Sequence, residues 1–138
     1  GDGEEKINLR KLIKKLKLTN KVRLLGWCNN VEKLYENSDL FIHASHQEGF
    51  PNSIVEALNF NLPVIASNCN GGTQEILANG KGGDLFPVNN HKILALKIQR
   101  FIVNRSNLKK KLKFARKHIN KYTVDNNYNK FMKVFNKI

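Results

Sequence analysis

Cysteine is scarce: Cys28 and Cys69 are the only two in 138 residues, and they stand far apart. That excludes both a CxxC-type metal site and the dense disulfide scaffold of a small secreted domain, so both thiols are expected to be reduced and at least partly buried. Long apolar runs are missing too. No stretch approaches the roughly 20 residues that a membrane-spanning helix needs, and the N-terminus shows no charged-then-apolar leader pattern. The expectation is a soluble cytoplasmic domain. There is no internal repeat, no Pro- or Ser-rich linker and no low-complexity block, hence no internal boundary to propose. A Gly-rich turn after the first strand with an acid about 20 residues on is also lacking, which argues against dinucleotide binding.

Acidic residues are few. Eleven Asp and Glu face 24 Lys and Arg, a formal net charge of +13. Much of it lies in helical stretches at the two ends, including Lys14, Lys15, Lys109, Lys110, Lys111, Lys113, Arg116, Lys117 and Lys121. Such a field draws polyanions or an anionic membrane surface, although lysines also simply solvate helix faces. Aromatic side chains interleaved with the basic ones, and any nucleic-acid reading motif, are absent, so no nucleic-acid partner is expected. His43 and His46 could ligate a metal only with help that no neighbouring carboxylate or cysteine cluster supplies, and ordinary packing explains them better. No metal and no cofactor is expected.

What the chain does contain is an alternation of two periods. Leu9, Leu12, Ile13 and Leu16 recur at helical spacing, with lysines between them. Val22 to Leu25 reads as a short strand ending at Gly26, and a helix follows near 30 to 37. Leu40 to Ser45 and Pro63 to Ser67 read as strands buried in a parallel sheet. Between them, Pro51, Asn52 and Ser53 start a helix with an Ile54, Val55, Ala57, Leu58 face. Gly71 and Gly72 open a turn into a helix over 73 to 78, and Gly82 and Gly83 precede a strand through Leu85, Phe86 and Val88. Three further helices follow, the last carrying Tyr128, Phe131, Met132 and Phe135 on one side. Strands separated by single helices imply an α/β, Rossmann-like parallel sheet with helices on both faces. Ligands then sit at the carboxyl ends of the strands, in segments 26 to 30, 45 to 53 and 67 to 74.

The most informative of these is SHQEGFPNSIVE, residues 45 to 56. A buried strand ends in a loop bearing Glu48, and a Gly-Phe-Pro turn leads into a helix that carries Glu56. A helix N-terminus offers unpaired amides and a positive dipole end, suited to a diphosphate; the amides of Asn52 and Ser53 are candidate donors. Gly49 would let the backbone approach a ligand closely. An ionised carboxylate such as Glu56 can accept two hydrogen bonds from the paired hydroxyls of a ribose. Spacing alone fits equally a Glu56 that complements the helix dipole and a Glu48 that is only a loop acid.

The run EGFPNSIVEALNFNLPVIAS resembles the signature of glycosyltransferase family 4, retaining and metal-independent enzymes of the GT-B fold, whose hallmark is two glutamates separated by seven residues. Here they are Glu48 and Glu56. GDGEEKINLRKLIKKLKLTNKVRLLG resembles the stretch before that signature, and GGTQEIL with GGDLFPVNN the stretch after it. The similarity spans nearly all of the chain in order. It implies that residues 1 to 138 form the nucleotide-sugar-binding C-terminal half of a GT-B glycosyltransferase. The text begins at what looks like the loop after the second strand, so the first strand and helix, with their diphosphate-neutralising Arg and Lys, would be missing, as would the N-terminal acceptor domain.

The resemblance implies, further, that Glu48 contacts the donor sugar near the transferred anomeric carbon and that Glu56 holds the ribose. Phe50, Pro51, Asn52 and Ser53 would meet the diphosphate and sugar mainly through amides, Pro51 having none. Gly26, Trp27 and Cys28 would border the base, Trp27 either covering it or packing as core. Gly71, Gly72 and Thr73 would lie beside the donor pocket, although turn chemistry also explains those glycines. The implied reaction is sugar transfer with retention from a nucleotide sugar, UDP favoured, to a carbohydrate or lipid-linked acceptor in surface polysaccharide or lipopolysaccharide synthesis, at the inner face of the membrane. A nucleotide-sugar 2-epimerase of the same fold would need additional acid and base residues that are not spaced here. A non-catalytic basic module, binding membrane or nucleic acid, is the alternative of a different kind.

Overall fold

A computed structural model describes residues 2–123 together with Asn126, Tyr128, Met132 and Lys133. The chain divides into two compact units, residues 1–34 and 35–138, each taken by itself below.

In the first unit, α1 (Lys6–Lys15) forms where Leu9, Leu12 and Ile13 share a stripe, and Lys14 and Lys15 in its last turn complement the negative dipole end. It closes in a Schellman pattern. Leu18 N–H donates to Ile13 C=O at 2.9 Å and Lys17 N–H to Lys14 C=O at 3.0 Å, with Lys17 itself left-handed at φ 55°. No residue of α1 is buried. Val22 to Leu25, expected as a strand, is irregular instead: none of the described residues pairs with it, and an extended run without a neighbour has no ladder to join. The helix expected near 30 to 37 is α2 (Val31–Glu36), and the boundary between the units falls within it.

The second unit is built on β1 (Phe41–His43), β2 (Val64–Ser67) and β3 (Asp84–Phe86), a parallel sheet in the order β1-β2-β3. Ile42 lies opposite Ile65, and Ala66 opposite Leu85. The central strand β2 is buried at all four positions, and its alternation splits the core in two. Val64 and Ala66 point to one face, with Ile54, Ala57 and Leu58 of α3 (Asn52–Asn59), Ile76 of α4 (Gly72–Ile76), and Ala115 and Ile119 of α6 (Arg105–Ile119). Ile65 points to the other, against Phe86, Leu108 and Phe101 of α5 (His91–Val103). Fully burying each large aliphatic is worth about 1.5–3 kcal/mol, so these two clusters hold the sheet between helices on both faces, as expected.

The differences from expectation are at edges. β3 stops at Phe86 and leaves Val88 outside, and α4 ends at Ile76, because Ala78 and Asn79 adopt left-handed φ of 47° and 52°. After α6 the chain makes a 3-10 turn over Asn120–Tyr122. Of the last helix, Tyr128 and Met132 are helical, while Phe131 and Phe135 lie outside the described residues. Among the described residues no helix is long and apolar enough to cross a membrane.

Candidate functional site

Beyond the carboxyl ends of β1 and β2 the pairing of the two strands continues through their loops. Ser67 Oγ donates to the Ser45 carbonyl at 2.5 Å, Gln47 forms a parallel bridge with Asn70, and Glu48 N–H donates to Asn70 C=O at 3.3 Å. Gly72 N–H then reaches Gly49 C=O at 2.8 Å. The loop bearing Glu48 is thus stitched to the loop that opens α4.

Glycine is required at the seam. Gly71 has φ 107°, and a Cβ placed on it would lie 1.6 Å from the carbonyl oxygen of Glu48. At Gly72 a Cβ would press on Gly49 C=O, Pro51 and Phe50 at 3.1–3.3 Å. Turn chemistry alone does not account for the pair: the backbone of residue 71 lies where only hydrogen fits against the backbone of Glu48.

The start of α3 is partly occupied by its own turn. Asn52 N–H, a candidate donor, is engaged by Phe50 C=O at 2.9 Å, and Ile54 N–H by Pro51 C=O at 3.0 Å. The N–H groups of Gly49, Phe50 and Ser53 meet no hydrogen-bond acceptor among the described residues, in a segment where Gly49 and Phe50 are exposed. Pro51 is buried, and Phe50 sets its ring edge-on to Tyr122 at 5.2 Å. Thr73 is fully buried, backbone included, with Oγ1 3.5 Å from Cys69 Sγ, so it packs behind the loop and presents no surface to a ligand.

Both glutamates are tethered. Glu48 Oε1 lies 3.1 Å from Nε2 of His43, the last residue of β1. Nδ1 of that ring is buried without a partner, which favours the tautomer carrying its proton on Nε2, since a bare lone pair there costs less than an orphaned N–H. Glu56 Oε2 accepts from the Tyr35 hydroxyl at 2.9 Å. Burial first, and then this bond and the Glu56 charge, push the Tyr35 phenol up to about 12. The two tethers belong to one row of rings: Tyr35 meets Phe41 edge-on at 5.8 Å, and Phe41 meets His43 at 6.4 Å, its neighbour on the same face of β1. The acids that are eight positions apart in the chain therefore hang from the two ends of a single row.

Gly26, Trp27 and Cys28 belong to the other unit. There Trp27 N–H donates to the Asp2 carboxylate at 2.9 Å, and Lys6 pairs with the same group. These contacts, that of Lys6 foremost, hold the Asp2 carboxyl below its ordinary range. Gly26 takes φ 70° beside Asp2. Trp27 is 81% exposed, with Nε1 on Asn29 Oδ1 at 2.6 Å, and is no part of a core; Cys28 is half-buried and Cys69 buried, both as free thiols. Among the described residues no three His, Cys, Asp or Glu gather where a metal could be held. Sequence reasoning missed Tyr35 as a partner of Glu56 and, for His43, preferred packing over metal ligation without finding Glu48; the shared parity of Phe41 and His43 was the available signal for the row.

The family description "Glycosyl transferases group 1" matches residues 1–120. An uncharacterised glycosyltransferase of Methanocaldococcus jannaschii is 49% identical over 77 residues, covering 56% of this chain and 19% of that protein. An N-acetylgalactosaminyltransferase of Campylobacter jejuni, named for a diphospho-undecaprenol-linked substrate, is 37% identical over 90 residues, covering 65% of this chain and 25% of that protein. Among solved structures, Anabaena HepE in complex with UDP-glucose superimposes with a TM-score of 0.85 at 26% identity, over 99% of this chain and 38% of HepE. The chain thus spans well under half the length of each of these three proteins.

Proposed function

The chain belongs to the group 1 glycosyl transferases, and from that premise we propose that it is the donor-binding part of a retaining GT-B enzyme that moves a sugar from a UDP-sugar to a carbohydrate or lipid-linked acceptor. The observation that carries the reading is the pair of acids at the ends of the Tyr35–Phe41–His43 row, beside a glycine-sealed loop with three amides that meet no acceptor among the described residues. Amides of Gly49, Phe50 and Ser53 suit the diphosphate, Glu56 the ribose hydroxyls and Glu48 the sugar beside the anomeric carbon. The Asn52 amide would join them only by leaving Phe50 C=O. Gly71 frames the pocket through its backbone, with Gly72 and Thr73 buried behind it.

HepE, whose structure holds UDP-glucose, supports the lean to UDP, and the undecaprenol-linked substrate in the Campylobacter relative's name supports a lipid-linked acceptor and surface-polysaccharide synthesis. The acceptor would be held by an N-terminal domain beyond these residues. No metal takes part in this scheme: donors fixed in the fold stabilise the departing diphosphate, whose oxygen assists the incoming hydroxyl on the same face. Cationic partners of the diphosphate, carried by a first strand and helix before these residues, would supply the strongest bonds, so the 138-residue chain alone binds donor weakly and turns nothing over. The whole enzyme works in the cytoplasm, attached peripherally to the inner face of the membrane.

Titration with UDP, GDP and ADP, free and joined to sugars, tests the assignment. UDP forms bind best, and Glu56→Ala removes that preference without unfolding the domain. Equal affinity of wild type and Glu56→Ala for UDP would sink the ribose assignment, and transfer by the 138 residues alone would sink the expectation of inactivity.

A further inference from the structure

Residues 91 to 123 contain eleven Lys and Arg and not one Asp or Glu. The structure accounts for some of these cations. Lys97 and Lys111 converge on Asp84, and Lys121 lies beside Glu75. A stripe remains: Arg105, Lys109, Lys113, Arg116 and Lys117 recur every three or four residues along one side of α6 and line a groove of about 690 Å³. Arg105 holds Asp39, the one acid of that groove among the described residues, at 2.7 Å. The other four have no carboxylate partner among the described residues.

The groove opens where Asp39 precedes β1 and Leu62 and Pro63 precede β2, the opposite end of the sheet from the Glu48 loop. At the corner between α5 and α6, next to Arg105, two aliphatic side chains stand in solvent: Ile102 is 64% exposed and Val103 88%. Solvation explains lysines on a helix, but not two adjacent aliphatics at the tip of an unneutralised basic stripe. Cations that meet phosphates beside side chains that enter the headgroup region are what an interfacial surface requires. A nucleic acid would want exposed aromatic platforms on this face. Phe101 is buried, and Phe114, 43% exposed, has a ring face already stacked on His118.

We propose that the α6 face bearing Lys109, Lys113, Arg116 and Lys117, tipped by Ile102 and Val103, docks on an anionic lipid bilayer and leaves the donor loops facing away from it. This locates the membrane attachment proposed above and is independent of the donor chemistry. The test is co-sedimentation of the 138-residue chain with vesicles of phosphatidylcholine alone and of phosphatidylcholine mixed with phosphatidylglycerol. Three variants are compared with wild type: Lys109→Gln, Lys113→Gln, Arg116→Gln and Lys117→Gln together; the charge-matched set Lys11→Gln, Lys14→Gln, Lys15→Gln and Lys21→Gln; and Ile102→Ser with Val103→Ser.

Wild type should bind only the anionic vesicles and come off at raised salt. The α6 set should lose at least about tenfold in partitioning, and the matched set under about threefold. The aliphatic pair should weaken binding several-fold without changing its salt dependence. All three sets change exposed side chains, and unchanged circular dichroism verifies their folding. Equal losses from the two charge sets would leave membrane attachment standing and overturn its location, whereas a wild type indifferent to both vesicles would overturn both. Tighter, α6-dependent binding to a DNA duplex than to vesicles would overturn the bilayer as occupant.

Discussion

Residues 2–34 and 35–123 are both rich in aliphatic side chains, yet only the second stretch has a core. Every residue buried among those described lies at position 35 or beyond. In the first unit Leu9, Leu12 and Leu16 stay largely exposed, and open clefts of about 380 and 510 Å³ run beside Ile7, Val22 and Leu24, and beside Leu9 and Leu25. The difference shows what an amphipathic pattern does and does not guarantee. A stripe of leucines specifies a helix, but the stabilisation comes only when a second layer removes it from water. In the larger unit β2 supplies that layer to both sides at once.

Glycine separates the two regions most sharply. Gly71→Ala puts a methyl group into the Glu48 carbonyl, which no side-chain rotation relieves, at a φ that alanine resists; the expected loss is about 4 kcal/mol or more in a urea melt, with loss of UDP binding. Gly26→Ala in the smaller unit meets movable side-chain ends, the Asp2 carboxylate at 3.0 Å and Lys6 Nζ at 3.3 Å, and should cost about 1 kcal/mol. A similar cost at both positions would erase the contrast.

Core truncations come next. Leu58→Ala empties a fully buried position beneath β2 and should cost about 3 kcal/mol, whereas Leu12→Ala, on the exposed stripe of α1, should cost less than about 0.5 kcal/mol. If Leu12→Ala proved the more damaging, the smaller unit would have a core that its exposure denies.

Tyr35 sharpens the comparison through pH. Its phenol, 8% exposed, is raised from an ordinary 10 to about 12 when folded. Above pH 10 the unfolded chain releases this proton and the folded chain keeps it, so the unfolded state is favoured increasingly as pH climbs. Below about pH 10 the phenol adds no pH dependence; between about pH 10 and pH 12 stability falls by on the order of 2 to 3 kcal/mol. Tyr35→Phe should remove that part of the alkaline slope while costing about 1 kcal/mol at neutral pH, where only the bond to Glu56 is lost. An unchanged slope in paired melts at neutral and high pH would show that the phenol is not held neutral.

How much of this could be read from the letters depends on the range of the interaction. The strands at 41–43 and 64–67 are continuous apolar runs, and α3 lies between a Pro-Asn-Ser start and a proline stop, so local pattern sufficed. Val22 to Leu25, apolar apart from Arg23, reads as a strand too and fails as one, because a strand is completed by a neighbour that the local text does not reveal. Glu48 and Glu56 were found through the family signature, but their tethers were not. Tyr35 and Glu56 are 21 positions apart and meet only when Phe41 and Phe60 gather around the Tyr35 ring. Gly71 read as a turn glycine because its real constraint, the Glu48 carbonyl, is 23 positions upstream.

The smallest expected change in stability is also the most discriminating about function. Trp27 is 81% exposed, and its indole N–H bonds only an exposed Asn29, so Trp27→Ala should shift stability by less than about 0.5 kcal/mol. If the ring borders a nucleobase, the substitution should weaken UDP binding by about three- to tenfold, the worth of one aromatic contact. Because the 138 residues are expected to bind weakly, the suitable readout is the chemical shift of the Trp27 indole proton as UDP is added at high concentration. A moving indole resonance with unchanged stability in Trp27→Ala would tie the coreless unit to the donor; a still resonance beside moving amides of Gly49 and Ser53 would confine donor recognition to the larger unit.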